Sequence, residues 1–230
     1  MKKFLFFLFV FFSFAQYVGA STSEIINSDS IVKAQSKIDE IGFRILNSNG
    51  IEKRMVFDYN KKSNKNASSR YSDRQIILYR GLYNRLNSDD EIAAVLAHEI
   101  SHAVDSYNGI FRGYFSNFLY SFAPKKYEYK ADKKAVDYMV NAGYHPVAFI
   151  VVMNKTLPQK RYDWYSTHPL TSRRMMELYE YIYKKYPQYL VHNKYKNDLY
   201  YQNFLLTSKN NRKKFQKKIE TNSRRAVNYL

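Results

Sequence analysis

The chain has 230 residues, 45% of them hydrophobic and 17% aromatic, enough to close one core and too few for two comfortable ones. It has no cysteine, which excludes a disulfide framework, acylation at a lipobox and thiolate metal ligands. A formal charge of +17 points to nucleic acid, an anionic membrane or an acidic partner.

The chain opens Met1-Lys2-Lys3, runs apolar from Phe4 to Val10 and on through Phe14, and reaches Val18-Gly19-Ala20 before the polar Ser21-Thr22-Ser23-Glu24. A basic start, a short apolar run and a small-residue exit form the pattern of a cleavable export signal over residues 1–20. The competing reading is an uncleaved anchor, but a spanning helix needs about 20 apolar residues and Gln16 interrupts this run. Export makes nucleic acid the least favoured partner. Cell envelope or periplasm is the expected location, with secretion as the alternative.

After the leader, Ile31, Ala34, Ile38, Ile41 and Ile45 keep a one-sided helical pattern that closes at Asn47-Ser48-Asn49-Gly50. Arg54 to Tyr59 alternates as a short strand, Lys61 to Ser72 reads as a polar loop, and Gln75-Ile76-Ile77-Leu78-Tyr79 reads as a second strand. The free edge of this second strand offers one of two equal readings, a place to hold an extended peptide through main-chain hydrogen bonds. Its alternative is an ordinary sheet strand.

Ser88 followed by Glu91 predicts a capping box, and Ile92, Val95, Leu96 and Ile100 recur at helical spacing as far as Asn108-Gly109. Beyond it, Ile110 to Phe122 is densely aromatic and is expected to form a core or lid helix, the alternative being a surface for lipid or an unfolded client. Helices are further predicted over Tyr127–Ala142 with Gly143 as terminator, over Val147–Leu157 opened by Pro146, and over Ser172–Tyr186. Tyr162 to Pro169 is a predicted loop. From Asn193 to Leu230 there are ten Lys and Arg against Asp198 and Glu220, and this basic tail reads as mostly helical. The expected organisation is a leader over 1–20, a catalytic domain over 21–190 and a basic extension over 191–230.

The chemistry gathers at His98-Glu99-Ile100-Ser101-His102. Positions four apart on a helix face the same way, so His98 and His102 can offer imidazole nitrogens to one metal, with Glu99 beside it. With five histidines in the chain, composition gives HExxH by accident on the order of a few times per thousand such sequences. Catalytic zinc typically takes three protein ligands and leaves a fourth position for water. Glu128-Tyr129-Lys130-Ala131-Asp132 supplies a carboxylate for the third place and an aspartate, four residues on, to accept from the outer nitrogen of a ligand histidine. The plainer reading of that pair is an acidic face neutralised by Lys130, Lys133 and Lys134.

HExxH with a downstream Glu-x-x-Ala-Asp resembles the gluzincin metallopeptidases related to HtpX, BepA, Oma-one and the CaaX prenyl endopeptidase. The likeness runs from about Ile31 to Leu178. It includes Asn66-Ala67, Ile76 to Leu82, Ser88 to His102, Ala142-Gly143-Tyr144-His145-Pro146, and Ser166-Thr167-His168-Pro169 with Arg174. The resemblance implies a zincin-like α+β fold, predominantly helical, with a small sheet beside the HExxH helix. It implies one zinc ion held by His98, His102 and Glu128, with Glu99 as catalytic base and Asp132 and Arg174 in support. It places His168 near the open metal position, as oxyanion donor or as a latent cap, with Arg174 steadying that segment.

The implied activity is zinc endopeptidase action on polypeptides, with unfolded or misassembled envelope proteins as expected substrates and the basic tail as a contact for anionic membrane. The alternative is a latent, chaperone-like zinc module. Two departures stand out. Only 25 residues separate His102 from Glu128, and Arg70-Tyr71-Ser72-Asp73 replaces the usual glycine pair. His145, in place of the usual turn aspartate, is read as structural, and His192 as a surface residue.

Overall fold

Ile38, Ile41 and Ile45 are fully buried along one side of the first helix, α1, which covers residues 28–48 of the computed structural model. The structure describes residues 28–70, 74–107, 124–159 and 170–229. Each such isoleucine stabilises the fold by about 1.5–3 kcal/mol through burial, and Gly50, at φ +57°, takes the left-handed turn that ends the helix region. The predicted packing helix is therefore present, one turn longer at its start.

Three strands follow, β1 (Val56–Asn60), β2 (Ala67–Arg70) and β3 (Gln75–Tyr79). Their order is β1-β3-β2, with β1 parallel and β2 antiparallel to β3. Two expectations fail here. The stretch read as a polar loop contains β2, and the strand expected to present a free edge, β3, is paired on both sides. The physical reason lies in the side chains. Ile76, Ile77 and Leu78 are all buried, the continuous apolar run of a strand covered on both faces, whereas the short, polar Ala-Ser-Ser-Arg of β2 suits an edge.

The opposite edge is closed. Gln35 on α1 donates from Nε2 to the Phe57 carbonyl at 2.8 Å and accepts from the Tyr59 amide at 2.7 Å, so one side-chain amide occupies the outward main chain of β1. Among the described residues, β2 is the edge of this sheet with no such closure.

A short helix, α2 (Arg80–Tyr83), carries the chain off β3. Its Gly81 allows a close approach: a Cβ there would stand 2.1 Å from the Ser63 carbonyl oxygen. The segment that leads into β2 is thereby held against α2.

The HExxH helix, α3 (Asp89–Tyr107), begins after Ser88, whose Oγ accepts from the Glu91 amide at 3.3 Å. The returning half of the box is displaced by one residue, with Glu91 Oε2 accepting from Asn87 N at 3.0 Å. Asp89, Asp90 and Glu91 also place negative charge in the first turn, where the helix dipole favours it. Beyond it come α4 (Pro124–Asn141), α5 (Val147–Thr156) and α6 (Thr171–Lys185). In α5, Val147 through Met153 are buried without a break, as befits a helix enclosed on all sides. It packs against α3 and α6, while α4 packs against α3 and α6.

The tail is helical, as expected, in α7 (Gln188–Val191), α8 (Leu199–Thr207) and α9 (Lys209–Glu220). It is not a loose appendage. Tyr195, Tyr201, Phe204, Phe215 and Tyr229 are buried in the same core cluster as residues of α3 to α6, and α8 packs on α5. His145 is buried against the Tyr189 and Tyr195 rings, a structural position as read, and His192 is exposed. The fold is α+β and predominantly helical, with a small sheet beside the HExxH helix. No described helix is long and apolar enough to cross a membrane.

Candidate metal centre

One helical turn separates His98 from His102, and their rings meet edge to face with Nε2 atoms 3.1 Å apart. Glu128 arrives from α4, with Oε1 3.4 Å from His102 Nε2 and Oε2 3.7 Å from His98 Nε2. The three groups offer ligand atoms within 4.8 Å of one another.

The donor set fits zinc by size. Bonds of about 2.0–2.1 Å in a tetrahedral shell place ligand atoms about 3.3–3.4 Å apart, and the observed spacings bracket that edge. It also fits by chemistry, since two imidazole nitrogens and a carboxylate oxygen are ligand types that zinc accepts. Two imidazoles turning Nε2 toward each other beside a buried carboxylate form a nitrogen and oxygen triangle suited to a cation.

The surroundings hold this triangle in place. His98 Nδ1 lies 3.0 Å from Asp132 Oδ1, within reach but without the alignment of a completed hydrogen bond. A hydrogen bond from Nδ1 to this carboxylate is the contact that fixes the tautomer leaving Nε2 free. Arg174, from α6, donates Nε to Asp132 Oδ2 at 2.8 Å and Nη2 to Oδ1 at 2.6 Å. Its third nitrogen, Nη1, is 3.0 Å from Glu128 Oε2. One guanidinium thus ties together the two carboxylates of the Glu-x-x-Ala-Asp turn, and all three side chains are buried.

The electrostatics follow from this packing. Burial alone would pull the His98 imidazole down, but the Asp132 carboxylate beside it more than offsets this and its pKa is raised. Burial works the other way on Asp132, where Arg174 outweighs it by charge and hydrogen bonding and His98 adds to the effect, so the carboxyl is held below its usual range. Arg174 is buried too, and Asp132 followed by Glu128 keeps its proton on more firmly than usual.

A cleft of about 390 Å³ opens beside the triangle. His98, Glu99, Glu128 and Arg174 form its polar wall, and Val95, Phe149, Val152 and Met153 are among its apolar lining. Lys65, Asn66 and Ala67, at the entry to β2, reach the same cleft. Glu99 follows His98 in the chain and lines the same cleft.

The structure brings His98, His102, Glu99, Glu128 and Asp132 into one neighbourhood. Arg174 has partners that the sequence reading did not give it, because it engages Asp132 and Glu128. His168, and with it the expected link to Arg174, lies outside the described residues, as do the aromatic segment 110–122 and the leader. The reading of the sequence missed β2 as the cleft-side edge. The signal available was the unbroken Ile-Ile-Leu run of β3, which marks a central strand.

A comparison with curated proteins finds no match. The model of peptidase family M48 matches residues 32–111 and 108–182, which together enclose the sheet, the HExxH helix, the carboxylates of α4 and Arg174. A match over more than half the chain, centred on a cleft with a zinc-sized His-His-Glu triangle, establishes that the protein belongs to peptidase family M48, a family of zinc-dependent peptidases.

Proposed function

We propose that this M48 zinc metallopeptidase is an endopeptidase of the cell envelope, with Glu99 as general base and His98, His102 and Glu128 as the zinc ligands. The observation that carries the reading is the shared wall: Glu99, His98 and Glu128 line one cleft with the entry to the edge strand β2. His98, His102 and Glu128 would hold the zinc, which when bound would supply Lewis-acid polarisation of a scissile carbonyl and a water of pKa about 7.

Glu99 takes a proton from the attacking water and delivers it to the departing amine, the exchange expected of a positioned carboxylate. Asp132 orients His98, and Arg174 fixes both carboxylates so that Glu128 presents its oxygens to the imidazoles. The polypeptide lies extended along β2, held by main-chain hydrogen bonds, with an apolar side chain against Phe149, Val152 and Met153. His168 as donor to the developing oxyanion rests on the resemblance alone.

Digestion of casein by the zinc-loaded protein tests this. Wild type should cleave in a phenanthroline-sensitive manner, and Glu99→Gln should keep its zinc while losing at least about 10²-fold in rate. Cleavage by the variant near the wild-type rate would remove Glu99 from the role of base.

The envelope location rests on the leader pattern. N-terminal sequencing of protein from the native host should begin near Ser21. A chain that still begins at Met1 would replace cleavage with an anchor. Unfolded or misassembled envelope proteins are the expected substrates, and the basic tail the expected contact with anionic lipid.

A further inference from the structure

A second cleft, of about 510 Å³, lies between α5, α6 and the tail helices α8 and α9. It shares Leu170 with the metal cleft. The ridge between the two is built from a pair of segments that face each other. Thr171 Oγ1 donates to the Pro158 carbonyl at 3.1 Å, Gln159 Oε1 accepts from Ser172 N at 3.1 Å, and Gln159 Nε2 donates to Ser172 Oγ at 3.2 Å. Pro158 and Thr171 line the metal cleft, and the next residues, Gln159 and Ser172, line the second.

The chemistry of this second wall differs from that of the rest of the surface. In a chain of formal charge +17, none of the described residues lining it is charged. Its polar groups are amides and hydroxyls, including Asn154, Ser172, Asn203 and Thr207. Asn154 Nδ2 donates to Asn203 Oδ1 at 3.0 Å and to the Tyr200 carbonyl at 2.6 Å. Among the described residues, the amide atoms left over are an acceptor, Asn154 Oδ1, and a donor, Asn203 Nδ2. A carboxylate or phosphate ligand satisfies only the donor of that couple. A peptide group, or a Gln or Asn side chain, offers one N–H and one C=O and satisfies both.

Resting on the peptidase reading above, we infer that the tail is part of the substrate site: the second cleft binds an uncharged, amide-bearing stretch of the polypeptide several residues from the scissile bond, gripped by Asn154 of the catalytic domain and Asn203 of the tail. The path crosses the ridge beside Leu170, which lines both clefts, and the Asn154–Asn203 couple supplies the recognition.

The test uses zinc-loaded full-length Glu99→Gln, which holds peptide without cutting it, and a fluorescein-labelled casein peptide centred on a bond that wild type cleaves. Removing about four residues from each end in turn, roughly 13 Å of extended chain, should weaken binding about tenfold at one end, the scale of one good hydrogen-bonded amide. In Glu99→Gln carrying Asn203→Leu the same truncation should change affinity less than about twofold, since the two losses are then the same loss. A photoreactive group on the distal residue should also crosslink to 199–211. Equal truncation costs in both proteins, or crosslinks mapping elsewhere, would overturn the inference. If wild type cuts casein and the cycle is flat, only this inference falls. If wild type cuts nothing, the peptidase reading falls first.

Discussion

Arg174 is the residue on which the centre depends most heavily after its own ligands. It makes a two-pronged contact with Asp132 and a third contact with Glu128, with almost no access to water. Removing one member of a buried charged group leaves the others without compensation, at a cost of about 3–5 kcal/mol. Arg174→Met should therefore lower the urea midpoint by an amount equivalent to that loss. It should also weaken zinc retention by about 10–100-fold, the range for partners that orient a ligand. Arg174→Lys should recover little, because an ammonium cannot reproduce the planar fork. Urea unfolding followed by circular dichroism, with zinc content measured alongside, checks both. A loss under about 1 kcal/mol would match an exposed pair and would contradict the burial seen here. His98, His102 and Glu99 are legible in the sequence because one helical turn fixes their relation. The role of Arg174 is not, since nothing along the chain tells an arginine on a later helix which carboxylates it will meet.

Between elements, a buried ion pair fastens α3 to α5. Lys155 Nζ lies 2.9 and 2.7 Å from the two Glu91 oxygens, with both side chains almost fully enclosed. This pair joins the start of the HExxH helix to the end of the helix that lines the metal cleft with Phe149, Val152 and Met153. Lys155→Met should cost about 3–5 kcal/mol, because among the described residues Glu91 then keeps the Asn87 amide alone. Glu91→Leu with Lys155→Met should recover most of it, since a buried pair is often replaceable by apolar groups. Thermal denaturation of the two proteins decides the matter; equal loss in both would mean that the carboxylate is not the source of the cost. Helix positions were legible at this scale because apolar spacing and the Gly50 and Gly143 stops are local properties. Gly143 takes φ +81°, as a helix terminator does. Sheet order was not legible, because pairing depends on which strand the rest of the molecule covers.

Over the whole molecule, the tail is held at its far end by Glu180. Burial would raise this carboxyl, but hydrogen bonds from Lys184, Lys218 and Tyr229 outweigh it and push it down to about 2. Lys218 Nζ sits 2.7 Å away, and the Tyr229 hydroxyl closes onto Oε2. A carboxyl whose folded pKa is depressed contributes stability that is fully present above its unfolded value, near 4.3, and is lost as pH falls toward the folded value. Residues 209–229 should therefore loosen between about pH 4.3 and pH 2, seen as a rise in amide exchange over that segment. In Glu180→Gln the pH dependence of that step should be absent. A segment whose exchange is flat across this window would show that Glu180 does not anchor it.

By itself the sequence determined the helices, the metal-binding turn, the downstream carboxylates and the basic, helical character of the tail, because each follows from spacing within one or two turns of chain. The tertiary structure decided which strand edge is left unclosed, which carboxylates Arg174 holds, and that the tail shares the core and a second cleft with the catalytic helices. Those outcomes rest on contacts between residues as far apart as Asn154 and Asn203 or Glu180 and Tyr229. Such pairings are selected by burial and by the satisfaction of polar groups in the assembled molecule, and no local pattern records them.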